Sequence, residues 1–367
     1  MPKLTVSLAN QYPIVIKAGL LQHLDLLAEQ LPAWVSRHVL IVDETIYHLY
    51  GVALYEILQK YLNQVDILAL PSGEINKTRQ TKQYLEDELL ALGCDKNTCL
   101  LALGGGVTTD IVGFVAATLY RGVAAVYIPT TLLSMVDASI GGKTAVNTHY
   151  GKNLIGQFYH PYAVLIDPNV LQTLSHITFA EGMAEVIKHA LIGHGALWSL
   201  LDSQAEHIQQ LDMAYVIPMI EYSLQVKRDL VEQDEKERKG PRQLLNLGHT
   251  VAHAIELISN YQIQHGQAVA IGLVVEAHIA VILGIAMVDL PNQIVDILQR
   301  YNLPVKLPSE YDLVKLVKAM YSDKKNQNQA IHCCLLRSVA QPYIVEQSFS
   351  HAISEDVIYQ ALELSRG

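Results

Sequence analysis

Three histidines and one upstream glutamate are the residues of this chain best suited to binding a metal ion. His249 and His253 are four apart in a helical pattern, so both project from one helix face, and His265 follows in a His-Gly turn. Glu185 lies on an earlier predicted helix, three residues before Lys188. Two histidines and a carboxylate make a zinc site that keeps one position open for a substrate. Spacing alone favours the His249 and His253 pair, and helix-surface or satisfied core histidines are the alternative.

A glycine triplet indicates a second kind of chemistry. The apolar run over residues 98–103 ends in Gly104-Gly105-Gly106 and is followed by a helical pattern from Val107. Backbone N–H groups at such a helix start, approached closely because glycine has no side chain, can bind a dinucleotide pyrophosphate. A tight left-handed turn after a core strand is the alternative interpretation.

Two Gly-Lys steps, Gly142-Lys143 and Gly151-Lys152, follow soon after the turn Pro129-Thr130-Thr131. Glycine lets the backbone approach an anion, and each lysine supplies a compact cation. The pattern therefore predicts a phosphorylated ligand beside the cofactor, and an ordinary surface loop with two lysines is the alternative.

Composition limits the class of partner. The chain has 367 residues, 50% of them hydrophobic, and a net charge of −10. The length suits two domains, and the charge argues against nucleic acid or an anionic membrane, so a local basic cluster must meet any anionic substrate. No signal peptide or apolar run of spanning length is apparent, which predicts a soluble cytoplasmic protein. The four cysteines lack zinc-finger spacing and are expected to be reduced core residues.

The elements that must position these residues follow two patterns. Strands alternate with helices in the N-terminal half, which predicts parallel βαβ units, and Asp43 ends one strand, where it can bind a ribose hydroxyl or cap a helix. Farther on, helical periodicity covers residues 179–191, 215–231, 244–258 and 269–283. We expect an α/β Rossmann-like NAD-binding domain over residues 1–176 and an all-α metal- and substrate-binding domain over residues 177–367.

Residues 104–153, GGGVTTDIVGFVAATLYRGVAAVYIPTTLLSMVDASIGGKTAVNTHYGKN, resemble the signature of the 3-dehydroquinate synthase family of sugar-phosphate cyclases. The resemblance extends more loosely from about residue 39 to residue 325. It implies a homodimeric lyase that uses NAD and Zn²⁺, or Co²⁺, to convert 3-deoxy-D-arabino-heptulosonate 7-phosphate to 3-dehydroquinate and phosphate. In that family carbon 5 is transiently oxidised, phosphate is eliminated, the hydride is returned, and an aldol step closes the ring.

The resemblance also implies residue roles. The segments AEVIK, LNLGHTVAH and HGQAVAIG look like the family's metal motifs, in which Glu185, His249 and His265 are the ligands and His253 contacts the substrate. The implied catalytic residues are Lys188, Asp137, Lys143, His253, Arg242, Asn246, Lys227, Asn153, Lys324 and, from a neighbouring subunit, Arg121. The implied cofactor-binding residues are Asp43, Ser72, Gly73, Glu74, Lys77, Gly105, Gly106, Val107, Asp110, Thr130, Thr131, Lys143 and Lys152.

The chain departs from the family pattern at several positions. Ser72 replaces the usual aspartate of an Asp-Gly-Glu turn, Gln267 replaces a glutamate, and the loop between Glu237 and Arg242 is one residue longer. The glycine and arginine that commonly follow the late Asp-Lys-Lys motif at Lys324 are absent. A metal- and NAD-dependent polyol or glycerol-type dehydrogenase and a sister sugar-phosphate cyclase are the alternative functions.

Overall fold

The structure is a computed structural model that describes residues 1–8, 11–238, 240–321 and 330–367. The backbone divides into two compact units, Met1–Leu174 and Ser175–Gly367. Each unit has its own apolar core. All four cysteines are buried and none of them forms a disulfide, as the sequence predicted.

A seven-stranded sheet forms the first unit, in the order β1-β2-β9-β6-β5-β3-β4. β1 pairs antiparallel with β2, and every other neighbouring pair is parallel. Its strands are β1 (Lys3–Val6), β2 (Tyr12–Ile16), β3 (Arg37–Asp43), β4 (Val65–Leu70), β5 (Thr98–Gly104), β6 (Ala124–Pro129) and β9 (Ala163–Ile166). Because β3 to β6 run parallel, their carboxyl ends meet at one edge of the sheet, where ligands of such folds bind.

Helices and a hairpin complete this unit. The α-helices are α1 (Leu24–Ala28), α2 (Val52–Tyr61), α3 (Arg79–Ala91) and α4 (Gly106–Thr118). Short 3₁₀ or π turns cover Leu20–Gln22, Glu44–Ile46, Tyr47–Gly51, Glu74–Asn76, Leu119–Arg121, Ser134–Ala138 and Pro168–Thr173. β7 (Lys143–Thr148) and β8 (Gly151–Phe158) form a separate antiparallel hairpin. The two Gly-Lys steps therefore lie where β7 and β8 begin.

The second unit is mostly helical. Its helices are α5 (His176–Gly193), α6 (Gly195–Ser203), α7 (Ala205–Gln209), α8 (Met213–Gln233), α9 (His249–Ile258), α10 (His265–Ile282), α11 (Leu290–Arg300), α12 (Leu313–Tyr321) and α13 (Glu355–Leu364). A 3₁₀ turn covers Pro241–Asn246. α10 packs against α5, α9, α11 and α13, so it is the central helix of the unit.

Two short strand pairs accompany the helices of the second unit. β10 (Ile331–Cys333) pairs antiparallel with β13 (His351–Ile353), and β11 (Leu336–Ser338) pairs with β12 (Gln341–Pro342). Strands of two or three residues are too short to show a period-two hydrophobic pattern, so no sequence pattern indicates them.

The predicted continuous helix over residues 244–258 is wrong. The segment comprises the 3₁₀ turn Pro241–Asn246 and α9, which are separated at Gly248, where φ is 79°. A left-handed residue ends the helical path, and glycine adopts this conformation without steric cost. As a result His249 is the first residue of α9 rather than a mid-helix residue.

The expectation that the chain has no apolar run of spanning length fails at α10. Among the described residues this helix alone is long and apolar enough to cross a membrane, with a mean hydropathy of 1.5. Of the helix, 72% is buried inside the protein. Because other helices cover α10 on nearly all sides, its apolar composition is explained by burial in the protein core and does not require a membrane.

Candidate functional site

Three helices of the second unit bring together a carboxylate and two imidazoles. Glu185 lies on α5, whereas His249 and His265 are the first residues of α9 and α10. Oε1 of Glu185 is 3.5 Å from Nε2 of His249 and 3.5 Å from Nε2 of His265. The three potential ligand atoms all lie within 4.8 Å of one another.

These separations fit a single metal ion. With zinc bonds of about 2.0–2.2 Å, neighbouring ligand atoms of a tetrahedral site lie about 3.3–3.6 Å apart. The measured 3.5 Å distances fall in this range. Glu185 is completely buried, and a buried carboxylate requires a compensating cation. Nζ of Lys188 supplies one positive charge at Oε2 of Glu185, on the side away from the histidine contacts.

The second ring nitrogen of each histidine faces an oxygen atom. Nδ1 of His249 donates to the carbonyl oxygen of Leu247 at 3.1 Å, which leaves Nε2 as the basic nitrogen that faces Glu185. Nδ1 of His265 lies 3.7 Å from Oε1 of Glu256. Such outer oxygens fix the ring orientation and tautomer of metal-binding histidines.

The charge around His265 favours a cation. Burial lowers the pKa of His265, but hydrogen bonds and charge from Glu185 and Glu256 outweigh burial and raise the pKa to about 10. Two buried carboxylates therefore stabilise positive charge at this point of the fold.

His253 lies beside this cluster but outside it. Its ring is edge-on to that of His249, with centroids 5.5 Å apart, one turn farther along α9. Glu185, His249 and His265 form a group that can hold one ion, and His253 is not a member of that group. Spacing along one helix favoured His249 and His253, because it carries no information on the approach of α5 and α10.

Three cations are buried in the same unit. Lys188, Lys227 and Arg242 are 2%, 5% and 2% exposed. Arg242 donates to the carbonyl oxygen of Glu235, and the 3₁₀ turn that carries Arg242 packs against α5 and α8. In a chain with a net charge of −10, these buried cations supply local positive charge, which an anionic substrate would require.

The implied partner of Arg242 lies on the same turn. Nδ2 of Asn246 donates to Oε1 of Glu237 at 2.6 Å. Glu237 has a φ of 52°, so the lengthened loop between Glu237 and Arg242 begins at a left-handed residue. The structure thus brings Asn246 and Glu237 together across the loop that departs from the family pattern.

The glycine triplet lies at the junction of β5 and α4. Gly104, Gly105 and Gly106 are not among the residues with positive φ, so the left-handed turn considered as an alternative is wrong. A Cβ at Gly104 would lie 2.3 Å from Oγ1 of Thr108, and one at Gly105 would lie 3.2 Å from Cγ2 of Thr131. Glycine is required here because the strand, the helix and the Thr131 turn approach closely. The N-terminus of α4 thereby reaches the ligand edge of the sheet.

Asp43 follows β3 at the same edge and caps a turn. Its Oδ1 accepts the N–H of Thr45 at 2.9 Å and the hydroxyl of Ser72 at 2.5 Å. A second aspartate at position 72, as in the family pattern, would place two carboxylates together. Ser72 instead donates a hydrogen bond to Asp43, so the serine at this position is compatible with the neighbouring carboxylate.

A buried lysine connects three segments of the first unit. Lys77 is 4% exposed, pairs with Asp110 of α4 and donates to Oδ1 of Asn153 at 2.6 Å. Burial lowers the pKa of Lys77, but Asp110 and Glu74 outweigh it and raise the pKa, so the ammonium stays charged. Oε1 of Glu74 accepts from Nδ2 of Asn147 at 2.7 Å. Residues implied for the cofactor and for the substrate thus share one network.

The remaining implied residues of the first unit lie on turns and on the hairpin. Gly73 has a φ of 90°, Thr130 is buried, and Oγ1 of Thr131 accepts the N–H of Ser134 at 3.1 Å. The other positions are Val107 on α4, Asp137 in the π turn, Lys143 on β7 and Lys152 on β8. Arg121 is exposed and has a φ of 66°. Lys324 lies outside the described residues.

Sequence reasoning missed two buried glutamates. Glu256 and Glu276 are 4% and 1% exposed, on α9 and α10. Both occur inside apolar helical runs, where a charged residue is costly unless it is paired. A glutamate inside an apolar run was therefore the sequence signal that could have identified both residues.

Comparisons with known proteins agree over most of the chain. Residues 67–181 match a family model described as 3-dehydroquinate synthase N-terminal, and residues 182–326 match one described as 3-dehydroquinate synthase C-terminal. A 3-dehydroquinate synthase of Coxiella burnetii strain RSA 331 is 41% identical over 348 residues, which cover 94% of this chain and 95% of the relative. One from Syntrophotalea carbinolica is 39% identical over 365 residues, 97% and 99% of the two chains. The solved structure of a 2-epi-5-epi-valiolone synthase from Streptomyces hygroscopicus, with NAD+ and Zn²⁺ bound, is 27% identical, with a TM-score of 0.85 and 96% coverage of each chain.

Proposed function

The chain belongs to the 3-dehydroquinate synthase family, and from that premise we propose that it converts 3-deoxy-D-arabino-heptulosonate 7-phosphate to 3-dehydroquinate and phosphate. In this proposal it is a carbon–oxygen lyase of the shikimate pathway that depends on NAD and a divalent metal. The observation that carries the proposal is the convergence of Glu185, His249 and His265 in a chain about 40% identical to named family members.

Glu185, His249 and His265 are the proposed ligands of Zn²⁺, with Co²⁺ as a substitute. When bound, such an ion stabilises negative charge on a substrate hydroxyl oxygen. Lys188 neutralises the second oxygen of Glu185 and orients the carboxylate. Three protein ligands leave one position for substrate, in agreement with an open catalytic site.

The first domain, residues 1–176 in this proposal, binds NAD. NAD supplies a reversible hydride acceptor. The N-terminus of α4 with Gly105, Gly106 and Val107 receives the pyrophosphate, because helix N-termini attract anions. The other proposed cofactor residues are Asp43, Ser72, Gly73, Glu74, Lys77, Asp110, Thr130, Thr131, Lys143 and Lys152.

The second domain, residues 177–367, binds the substrate together with the metal. Arg242 and Lys227 suit the substrate carboxylate, because a buried guanidinium and ammonium bind a carboxylate strongly. The residues proposed to hold the phosphate and its developing charge are Lys143, Lys152, Asn153, His253 and Arg121 of a neighbouring subunit. Asp137, Asn246 and Lys324 complete the proposed catalytic set.

We also propose that two copies of the chain associate. β8 pairs only with β7 among the described strands, and its residues 153–158 are exposed. Leu154, Ile155 and Phe158 are 40%, 37% and 36% exposed, so this edge presents apolar side chains to a partner. Unpaired strand edges associate readily with a second edge. The cytoplasmic location, and the lack of nucleic-acid and membrane partners, stay predictions from the sequence.

Product identification tests the proposed function. Purified protein incubated with the heptulosonate phosphate, NAD and Zn²⁺ is expected to give 3-dehydroquinate, identified by mass spectrometry and NMR, with one phosphate per molecule. A cyclic product of a different carbon skeleton from another sugar phosphate, with no conversion of the heptulosonate, would contradict it.

A further inference from the structure

A buried glutamate meets the backbone directly before a proposed metal ligand. Oε2 of Glu276, on α10, accepts the amide N–H of Gly248 at 2.7 Å, and Glu276 is 1% exposed. Gly248 has a φ of 79°, a conformation that glycine adopts without strain. His249 is the next residue and the first of α9.

The same peptide group contacts the ring of His249 from its other side. The carbonyl of Leu247 and the N–H of Gly248 belong to one planar peptide unit. The carbonyl oxygen accepts from Nδ1 of His249 at 3.1 Å, while the N–H donates to Glu276 at 2.7 Å. Carboxylate, peptide and imidazole therefore form one hydrogen-bonded series that ends at Nε2 of His249, the atom facing Glu185.

We propose that Glu276 is a positioning residue of the metal centre, acting on His249 through the Leu247–Gly248 peptide group. Metal-binding histidines commonly donate Nδ1–H to a carboxylate directly, which fixes the ring and raises the basicity of the ligating nitrogen. Here the carboxylate acts one peptide group away. Hydrogen bonds in series polarise one another in a low-dielectric interior, so the hydrogen bond that Glu276 accepts from Gly248 strengthens the bond that holds the imidazole.

The packing of α10 against the turn supports this role. Gly272 is four residues before Glu276, and a Cβ at Gly272 would lie 2.0 Å from the carbonyl oxygen of Gly248. A Cβ at Gly248 would lie 3.1 Å from the backbone nitrogen of Leu273. Two glycines thus permit the close approach that lets the carboxylate reach the peptide N–H.

The inference rests on the proposed function only in taking His249 as a ligand, and metal affinity tests it independently of turnover. Glu276→Met keeps the length of the side chain but removes the acceptor, whereas Glu276→Gln keeps an acceptor oxygen. Val275→Ala, at a completely buried position of the same helix, is the matched control for lost packing. Zinc dissociation constants come from competition with a chromophoric chelator, and melting temperatures are measured on the metal-free proteins.

We expect Glu276→Met to weaken zinc binding by about 10- to 100-fold. Glu276→Gln should recover most of the affinity, and Val275→Ala should bind zinc like the unmodified protein despite a lower melting temperature. The inference is overturned if Glu276→Met binds zinc as tightly as Val275→Ala, or if Glu276→Gln is no better than Glu276→Met.

Should Glu276→Met fail to fold, Glu276→Asp decides, because it keeps the charge but withdraws the oxygen by one methylene. It should bind zinc more weakly than Glu276→Gln, and an affinity equal to that of the unmodified protein overturns the inference. An unmodified protein that binds no zinc contradicts the proposed metal site and this inference together.

Discussion

At the scale of single residues, the chemistry depends on which nitrogen of each histidine faces Glu185. His249 uses Nδ1 for the Leu247 carbonyl, and His265 has Nδ1 near Glu256, so both rings direct Nε2 toward the same carboxylate oxygen. His253 has no place in this arrangement, although its ring touches that of His249. We therefore propose that His253 contacts the substrate rather than the metal.

Histidine substitutions separate these roles. His249→Ala and His265→Ala each remove a proposed ligand and should lose bound zinc. His253→Ala should keep zinc near one per chain while turnover falls by roughly 100-fold or more, as expected for a lost proton-transfer or charge-stabilising contact. Metal analysis of the three purified variants checks this. Zinc loss in His253→Ala would mean that the pair favoured by spacing is the ligand pair.

At the scale of elements, the sequence predicted the strands and helices that have continuous hydrophobic patterns. The apolar runs identified the sheet strands, and helical periodicity identified α5, α8 and α10. The break at Gly248 was missed, because a glycine inside a periodic segment does not by itself end a helix pattern. The meeting of Glu185 with His265 depends on how α5 packs against α10, which no local pattern encodes. The family resemblance implied the ligand set Glu185, His249 and His265, and the fold shows that their ligand atoms lie close together.

A buried histidine on β3 should make the first unit sensitive to acid. His38 is 5% exposed, and within the part of the chain that the structure describes its ring nitrogens have no hydrogen-bond partner. Burial lowers its pKa from 6.5. The folded state thus binds a proton less readily than the unfolded state, so this contribution to stability is complete above pH 6.5 and declines as the pH falls below it.

Urea unfolding at several pH values tests the role of His38. The unmodified protein should lose stability as the pH falls from 7 to 5, because protonation of His38 favours the unfolded state. His38→Leu should reduce this loss, because an uncharged side chain does not titrate. An equal loss in both proteins would show that other groups cause the acid sensitivity.

At the scale of the whole molecule, the proposed function involves two copies of the chain and two cofactors, NAD and a metal ion. The hairpin carries Lys143, Lys152 and Asn153 on the same strands whose apolar edge is exposed. Association of copies through this edge would therefore stabilise the segment that carries the residues we propose to bind the phosphate.

A charge on the β8 edge should separate the copies. Ile155→Asp places a carboxylate where apolar side chains would meet their counterparts, and burying an unpaired charge is costly. Sedimentation should show a dimer for the unmodified protein and a monomer for the variant. Lys60→Asp, on α2, is the matched control and should remain dimeric. A variant that stays dimeric places the interface elsewhere.

Removal of the metal should stop turnover without unfolding the chain. The second unit has an extensive helical core around α10, so its stability does not depend on one ion, unlike that of a small zinc-stabilised domain. Far-ultraviolet circular dichroism of chelated protein at room temperature should match that of the loaded protein. Loss of most of the helical signal would indicate a structural metal.

The balance between phosphate and NADH tests the central claim most directly. With NAD at a tenth of the substrate concentration, each turnover should return its hydride, so phosphate release should exceed the NAD supplied severalfold while absorbance at 340 nm shows no net NADH. NADH formed in proportion to the substrate consumed, and halted when NAD runs out, would contradict the cyclase account and identify a dehydrogenase.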